Sequence, residues 1–347
     1  MKTTAVSLPR LTLPSSSGLT ARLGDFVTLM KPRVMLLAVF TALVGLLIAP
    51  RHLDPLHAPI AIIAIAAGGG AAGVLNMWYE SDIDAAMTRT AKRPIPRGKI
   101  SRAEALLFGT ALAGGAVATL GFALNVVAAA LLAFAIVFYV VVYTMWLKRR
   151  TPQNIVIGGA AGALPPVIGW AAATGSVSLE SLVLFLIIFL WTPPHFWALA
   201  LNRSDEYARA GIPMLPVVAG RAATTRQILI YSALLVPATV LPWVLGFGGS
   251  TYAAAVVVCG TIFIGFTVQL RLSRATDTRP AQRVFAFSIF YLFVLFAALL
   301  TGGSIDRAQT LSAPGAWANR ELAQSKLPSR LGHATRPSSS LVKTDGV

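Results

Sequence analysis

Long apolar blocks separated by short polar segments dominate the pattern of this chain. A helix needs roughly 20 predominantly apolar residues to cross the hydrocarbon core of a bilayer. Backbone polar groups in lipid must be paired within their own segment, so such blocks are expected to be helical. Nine blocks meet the length, and the predicted spans lie near 33–50, 58–79, 104–123, 124–147, 154–174, 179–201, 226–246, 251–272 and 283–301.

The pattern predicts an all-α integral membrane protein with nine transmembrane helices in a bundle around a central cavity. We expect the transmembrane domain to cover 24–301, between disordered tails at 1–23 and 302–347 that are polar and rich in Ser and Pro. The first tail has basic and hydroxyl residues without acids, as a transit peptide does. Pro9 and Pro14 would interrupt an amphipathic helix there, which favours a plain tail.

Composition agrees with the span pattern. The chain is 56% hydrophobic and 12% charged, with a mean hydropathy of +0.70, whereas soluble domains have about 25% charged residues. A net charge of +16 would suggest nucleic acid in a soluble protein. Here the basic residues lie in short loops, so we expect the lipid bilayer as partner and no nucleic acid. Cys259 is the only cysteine, which excludes a disulfide within the chain and a cysteine-based metal site.

The basic residues are distributed very unequally between the two predicted sides of the membrane. With the N-terminus inside, the inside segments carry 22 of the 29 Lys and Arg residues, and the outside loops between spans carry only Arg51. Basic residues are retained on the cytoplasmic side of membranes. We therefore expect a cytoplasmic N-terminus in a multi-pass protein of the bacterial inner membrane.

Glycines cluster inside two of the predicted spans, at 68–70 with Gly73, and at Gly158, Gly159 and Gly162. Small residues let helix backbones approach closely in a membrane. Close helix packing is the first interpretation of these clusters, and room for a bulky ligand is the second.

The end of the second predicted span carries the first of two acidic segments. Asn76, Glu80 and Asp84 follow a spacing of four residues and would share one helix face, with Asp82 between them. Oxygen ligands on one face suit Mg²⁺, which binds a few carboxylates and completes its shell with substrate phosphates. Basic side chains that match phosphate oxygens follow directly: Arg89, Lys92, Arg93, Arg97 and Lys99. The segment is typical of a diphosphate site.

The second acidic segment follows the sixth span. At 100° per residue, a continuous helix would place Asn202 and Glu206 on the face of His195, and Asp205 to one side. Asn202 and Glu206 repeat the spacing of Asn76 and Glu80. His195 is the only histidine within a predicted span. Ionisable residues inside a membrane-spanning helix are functional candidates.

Structural alternatives exist for both features. Acids among arginines are often solvated ion pairs that contribute little. His195 could be a neutral side chain bonded to a carbonyl group that Pro193 or Pro194 leaves free.

Three stretches of sequence carry a family resemblance, and they are 76–98, 143–170 and 193–218. The first resembles the acidic motif of UbiA-type prenyltransferases. The other two are more specific and resemble the protoheme IX farnesyltransferases, or heme O synthases. The resemblance covers roughly 24–301. It departs from the family at Glu80 and Glu206, where aspartate is usual, and this leaves the metal ligand set open.

The resemblance implies a Mg²⁺-dependent transfer of a farnesyl group from farnesyl diphosphate to a vinyl group of heme B, with addition of water. On this basis the expected roles are as follows: catalysis by Asn76, Glu80, Asp84, Arg93, His195 and Glu206; substrate binding by Arg89, Lys92, Arg97, Lys148, Arg149, Trp197 and Asn202; and metal binding by Glu80, Asp82, Asp84, Asp205 and Glu206. A downstream heme A synthase or oxidase assembly factors are the expected partners.

Two alternatives stay open at this point. A related prenyltransferase with a phenolic or quinone-precursor acceptor would need the same acids and metal. A transporter would explain the bundle and His195, but it would require acids at mid-membrane, which the spans essentially lack.

Overall fold

A computed structural model describes the backbone of residues 16–312 except residue 275, and the side chains of 21–301 with the same gap. Every regular element in this part of the chain is a helix. In chain order the elements are α1 (Ser16–Leu29), α2 (Pro32–Ile48), α3 (His57–Tyr79), α4 (Ser81–Ala86), α5 (Arg102–Ala123), α6 (Val126–Val137), a π-helix (Phe138–Leu147), α7 (Asn154–Ala163), α8 (Pro165–Thr174), α9 (Leu179–Leu201), α10 (Ser204–Arg209), α11 (Leu215–Val218), α12 (Gly220–Ala238), α13 (Leu241–Val244), α14 (Ser250–Leu272) and α15 (Arg279–Ser312).

The helices confirm the predicted membrane architecture. Among the described residues, eight helical stretches are long and apolar enough to cross a bilayer, and α1 and α2 form a ninth candidate as a pair bent by 55°. Three of the eight stretches join two elements each, namely α6 with the π-helix, α7 with α8, and α12 with α13. The count of eight to nine spans and the all-helical fold are those expected from the apolar blocks.

Local sequence signals set several helix ends. Ser101 and Ser178 begin α5 and α9 as N-caps, and each forms a reciprocal capping box with the residue three positions later. Asn125 separates two spans that are almost continuous in sequence. Its Oδ1 accepts from the Ala128 amide, and its Nδ2 donates to backbone carbonyls of α8. These caps satisfy the backbone groups that helix ends leave unpaired.

The bend between α1 and α2 centres on Lys31, which precedes Pro32. Lys31 has φ 54° and ψ 51°, the only positive φ of a non-glycine residue in the described chain. A residue before proline is sterically disfavoured in the right-handed helical region. The helix therefore breaks here, and the Lys31 side chain turns toward the end of α3, where its Nζ contacts Asn76.

Glycines allow α2 and α8 to pack in backbone contact. A Cβ at Gly169 would lie 2.0 Å from the Ala42 carbonyl oxygen, and one at Gly45 would lie 2.2 Å from the Pro166 carbonyl oxygen. The predicted clusters also lie mostly against neighbours, as with Gly159 against Thr192 of α9. Close packing is therefore their main role, although Gly162 has open space beside it.

The domain bounds expected from the sequence, 24–301 between two tails, remain predictions. The chain divides into two compact units between Gly303 and Ser304, and α15 extends through Ser312. At the other end α1 begins at Ser16, inside the predicted tail 1–23. The rest of both tails lies outside the described residues.

One cavity of the molecule lies away from the acidic segments. It has a volume of about 470 Å³ and lies where α2 and α8 end and α9 begins, beside Arg51, Trp170 and Glu180. The acidic segments follow α3 and α9 at the opposite end of the bundle. This cavity is therefore separate from the acidic segments.

Candidate active site

The first acidic segment forms the junction between α3 and α4. Backbone hydrogen bonds from the Glu80 amide to the Asn76 carbonyl and from the Asp84 amide to the Glu80 carbonyl continue the helical pattern through the break. Asn76, Glu80 and Asp84 are 3%, 1% and 3% exposed, whereas Asp82 points to the surface. One face of this junction thus buries two carboxylates and an amide.

Both buried carboxylates are held by basic side chains. Lys148 Nζ donates to Glu80 Oε2 at 2.5 Å, and Arg93 Nη1 lies 2.7 Å from both oxygens of Asp84. Lys148 comes from the far end of the π-helix, and Arg93 comes from the loop after α4. Buried carboxylates require such partners because an unpaired charge in an apolar interior is strongly unfavourable. The site is therefore assembled from three separate segments of the chain.

Asp82 and Arg149 form a third, more exposed pair, with Arg149 Nη2 2.9 Å from Asp82 Oδ1. Partial burial opposes ionisation of Asp82, but the hydrogen bond from Arg149 prevails and lowers the pKa of Asp82 below its usual value. The same hydrogen bond raises the pKa of Arg149. Asp82 is thus placed on the rim of the site, with its charge already compensated.

Asn76 is fixed by a chain of hydrogen bonds that no sequence motif had indicated. Lys31 Nζ donates to Asn76 Oδ1 at 2.7 Å, and Asn76 Nδ2 donates to Thr144 Oγ1 at 3.1 Å. Thr144 in turn donates to the Tyr139 carbonyl, five residues earlier in the π-helix. The wider turn of a π-helix offers this carbonyl. Lys31 thus brings an amino group to the site from the break between α1 and α2.

The second acidic segment is not a continuation of α9, and the prediction that it shares a helix face with His195 is wrong. The helix ends at Leu201, and Arg203 has φ −136°, so Glu206 belongs to the separate short helix α10. Arg203 Nη1 lies 3.5 Å from Glu206 Oε1. Asp205 is exposed, and its only side-chain contact in the described residues is with Ser204.

The charge of Arg89 interacts with residues of both acidic segments. Burial, and then the positive charge of Arg93, lowers the pKa of Arg89 below its usual value. Arg89 is nevertheless an exposed side chain, and its charge interacts with Asp84 of the first segment and with Arg203 and Tyr207 of the second. Lys92 and Arg97 are exposed. The two segments therefore face a common region lined with positive charge.

Unpaired oxygens indicate where a cation could bind. Within the described residues, no three His, Cys, Asp or Glu side chains form a metal cluster. Four buried acceptors at this end of the bundle nevertheless lack a hydrogen-bond donor, and they are Glu80 Oε1, Asn154 Oδ1, Asn202 Oδ1 and Glu206 Oε2. A hard cation with few protein ligands and several phosphate or water oxygens suits such a set.

His195 lies deeper in α9, enclosed by aromatic rings. Trp191 stacks on it at 4.3 Å between ring centroids, and Phe285 of α15 stacks at 4.7 Å. His195 Nδ1 lies 2.7 Å from Ser288 Oγ, and Trp191 Nε1 donates to the Ser288 carbonyl. Its partner is thus a serine of another helix and not a carbonyl of α9.

Trp197 lies in the interior of the helical bundle. It is 1% exposed and packs edge-to-face against Tyr231 of α12, at 5.5 Å between ring centroids. Its Nε1 is buried and has no acceptor. The structure therefore shows a core position for Trp197 in a contact between α9 and α12.

Comparison with known proteins now adds to the geometry. Residues 38–294 match the UbiA prenyltransferase family. The chain is 62% identical to the protoheme IX farnesyltransferase of Afipia carboxidovorans over 281 residues, which cover 80% of this chain and 90% of the relative. It is 56% identical to the protein of the same name from Parvibaculum lavamentivorans over 302 residues, covering 86% and 95%.

Solved structures share the fold at lower identity. A digeranylgeranylglyceryl phosphate synthase superposes with a TM-score of 0.68 at 20% identity, covering 81% of this chain and 98% of that one. A UbiA homologue from Archaeoglobus fulgidus, bound to GPP and Mg²⁺, gives 0.57 at 18% identity, covering 79% and 99%. Together with the sequence matches, they lead to one conclusion: the chain belongs to the UbiA prenyltransferase family.

Proposed function

We propose that this protein transfers the farnesyl group of farnesyl diphosphate to a vinyl group of heme B, with addition of water, to give heme O. The observation that carries the choice of acceptor is the identity of 56% and 62% to proteins named protoheme IX farnesyltransferase. The buried pairs Glu80–Lys148 and Asp84–Arg93 support a site for an anionic diphosphate at one end of the bundle.

Mg²⁺ fits the residues of this site. Three of the buried acceptors without a donor belong to the two acidic segments, and they are Glu80 Oε1, Asn202 Oδ1 and Glu206 Oε2. Asp84 is also buried, four residues after Glu80. We propose that Glu80, Asp84 and Glu206 hold the ion, with Asn76 and Asn202 orienting the site. Asp82 and Asp205 remain at the surface as spectators. A bound Mg²⁺ would neutralise the charge of the leaving diphosphate.

The basic residues act on the diphosphate itself. Lys148 and Arg93 pair with the buried acids, Arg89 interacts electrostatically with Asp84, and Lys31 reaches the same region through Asn76. As the allylic C–O bond breaks, its electron pair leaves with the diphosphate. Donors already positioned where negative charge develops favour this step, because they need no reorganisation. Arg149, Lys92 and Arg97 lie further out, where they would steer the anionic substrate.

The remaining bonds are made on the acceptor. The π-electron pair of the vinyl group forms the new C–C bond to the farnesyl carbon that lost diphosphate. Water then adds to the neighbouring vinyl carbon and releases one proton. Aromatic side chains such as Trp191 and Phe285 around His195 would keep water from the allylic cation until this bond has formed. His195 is the candidate for contact with heme.

The sidedness of the basic residues supports an inner-membrane protein with its N-terminus and this site on the cytoplasmic side. Release of heme O would then supply a downstream heme A synthase or oxidase assembly factors.

An acceptor competition tests the proposal. Membranes containing the protein receive farnesyl diphosphate and Mg²⁺ together with heme B and 4-hydroxybenzoate in equal amounts. We expect the heme to gain a farnesyl group and one water by mass spectrometry, while the phenolic acid stays unchanged. Prenylation of the phenolic acid, with unchanged heme, would instead assign the chain to a different acceptor class.

A further inference from the structure

Ser288 of α15 makes the only hydrogen bond to the side chain of His195 within the described chain, and nothing in the sequence had indicated it. The two residues are 93 positions apart and come from different spans. Ser288 is fully buried and His195 is 8% exposed. The Ser288 carbonyl also accepts from Trp191 Nε1 at 2.7 Å, so a single residue of α15 anchors both aromatic side chains.

The hydrogen bonds of Ser288 determine which nitrogen of His195 carries the proton. A serine hydroxyl has one proton to donate and lone pairs to accept with. Ser288 Oγ donates to the Phe285 carbonyl at 2.6 Å. It is therefore left to accept from His195 Nδ1, at 2.7 Å, so Nδ1 must carry a hydrogen. In a neutral imidazole the other nitrogen, Nε2, is then a free lone pair.

The position of the rings leaves that lone pair available. Trp191 and Phe285 stack within 30° of parallel to the imidazole, at 17° and 26°, while Phe196 meets it nearly perpendicularly, at 88°. Ser288 occupies the Nδ1 edge. Nε2 has no hydrogen-bond partner among the described residues, and the small exposed fraction of His195 shows that the side chain is not fully enclosed. Nε2 is therefore the ring nitrogen left to meet a substrate.

We infer that Ser288 is a positioning residue that fixes His195 in the Nδ1–H tautomer, so that Nε2 accepts the proton released when water adds to the heme vinyl group. The inference rests on the proposed function. The farnesyl C–O bond breaks with its electron pair on diphosphate, and the vinyl pair forms the C–C bond. The water oxygen then bonds to the neighbouring carbon, and its proton moves to Nε2. A neutral His195 in this tautomer has no N–H left for a heme propionate.

The test compares three serine variants in the full-length protein. Ser288→Ala removes the acceptor of Nδ1–H, and Ser288→Thr keeps a hydroxyl that can bond to the same carbonyl. Ser232→Ala is the matched control, because Ser232 is also fully buried and donates to a helix carbonyl, that of Ile228, but touches no histidine. The ¹⁵N chemical shifts of the His195 ring nitrogens, assigned by their loss in His195→Gln, report the tautomer without reference to activity.

We expect the wild-type protein to show a protonated Nδ1 and an unprotonated Nε2. Ser288→Ala should populate the other tautomer and reduce kcat by roughly tenfold or more, since general-base catalysis typically contributes at least about 100-fold. KM for heme and the absorption spectrum of bound heme should not change. Ser288→Thr and Ser232→Ala should retain the wild-type tautomer and kcat.

Three results would overturn the inference. One is a protonated Nε2 in the wild-type protein. Another is a Ser288→Ala variant with the wild-type tautomer and turnover. The third is a shifted Soret band in Ser288→Ala, which would make His195 an iron ligand. If the wild-type protein forms no heme O, the proposed function fails, but the tautomer measurement still decides the role of Ser288.

Discussion

At the scale of single residues, the site depends on which acids are buried. Glu80 and Asp84 are enclosed and paired, whereas Asp82 and Asp205 face the surface. All four belong to the same two sequence segments and have the same charge. In a helix, residues four positions apart share a face, whereas residues two positions apart point in nearly opposite directions. Asp82 therefore faces water while Glu80 and Asp84 face the core.

Neutralising the buried acids should abolish catalysis, while neutralising the exposed ones should not. We expect Glu80→Gln and Asp84→Asn each to reduce kcat/KM by roughly 100-fold or more, the size typical of a lost group that stabilises transition-state charge. Asp82→Asn and Asp205→Asn should stay within a fewfold of wild type, as should Asp277→Asn in another loop. The measurement is turnover over a Mg²⁺ titration. Wild-type turnover in the two buried variants would exclude these residues as metal ligands.

The buried pair of Lys148 and Glu80 predicts an asymmetric effect on stability. Lys148→Met leaves Glu80 with an uncompensated charge and should cost about 3 kcal/mol, since removing one partner of a buried ion pair is strongly destabilising. Adding Glu80→Gln should recover most of that loss. The exposed pair of Lys99 and Asp25 is the control, and Lys99→Met should cost about 0–1 kcal/mol. Thermal unfolding in detergent measures all three, and equal losses for Lys148→Met and Lys99→Met would contradict the buried pairing.

At the scale of helices, the spans follow from apolar length, but the interruptions do not. The break after Asn202 contains no Pro or Gly, so a continuous helix was the natural expectation from sequence. The π-helix likewise carries no distinct signal, because its residues are as apolar as those of α6. In the π-helix, Thr144 bonds to Asn76 of another span across 68 positions, a contact that the local sequence does not show.

The same limit explains which site residues were missed. The acids and basic residues of the two segments were predicted because neighbouring positions carry a recognisable spacing. Lys31 and Ser288 were not, because Lys31 lies 45 positions from Asn76 and Ser288 lies 93 positions from His195. Only the packing of α1, α3, α9 and α15 brings these partners together.

Backbone contact between α2 and α8 predicts that their glycines tolerate no side chain. Gly169→Ala would place a methyl group against the Ala42 carbonyl, which is rigid backbone, and should destabilise by about 1–3 kcal/mol. Gly114→Ala, at an exposed position of α5 with open space beside it, should be neutral or stabilise by up to about 1 kcal/mol. Melting temperatures in detergent compare the two, and a harmless Gly169→Ala would show that α2 and α8 are further apart.

At the scale of the whole molecule, the distribution of basic residues predicts the orientation in the membrane. Cys259 is buried and can be replaced by serine to give a cysteine-free protein. Single cysteines at Ser176 and Thr276, both exposed, then lie on opposite sides. A membrane-impermeant maleimide added to intact cells should label Ser176→Cys and leave Thr276→Cys unlabelled until the cells are opened. The reverse pattern would place the acidic segments outside the cytoplasm.

The central claim is that the buried acids at one end of this bundle support farnesyl transfer to heme with addition of water. The most direct measurement is the mass spectrum of heme after reaction of purified protein with heme B, farnesyl diphosphate and Mg²⁺ in ¹⁸O-labelled water. We predict a product that carries one farnesyl group and one labelled oxygen with the wild-type protein, and none with Asp84→Asn. Unmodified heme with the wild-type protein, or the same product from Asp84→Asn, would contradict the account.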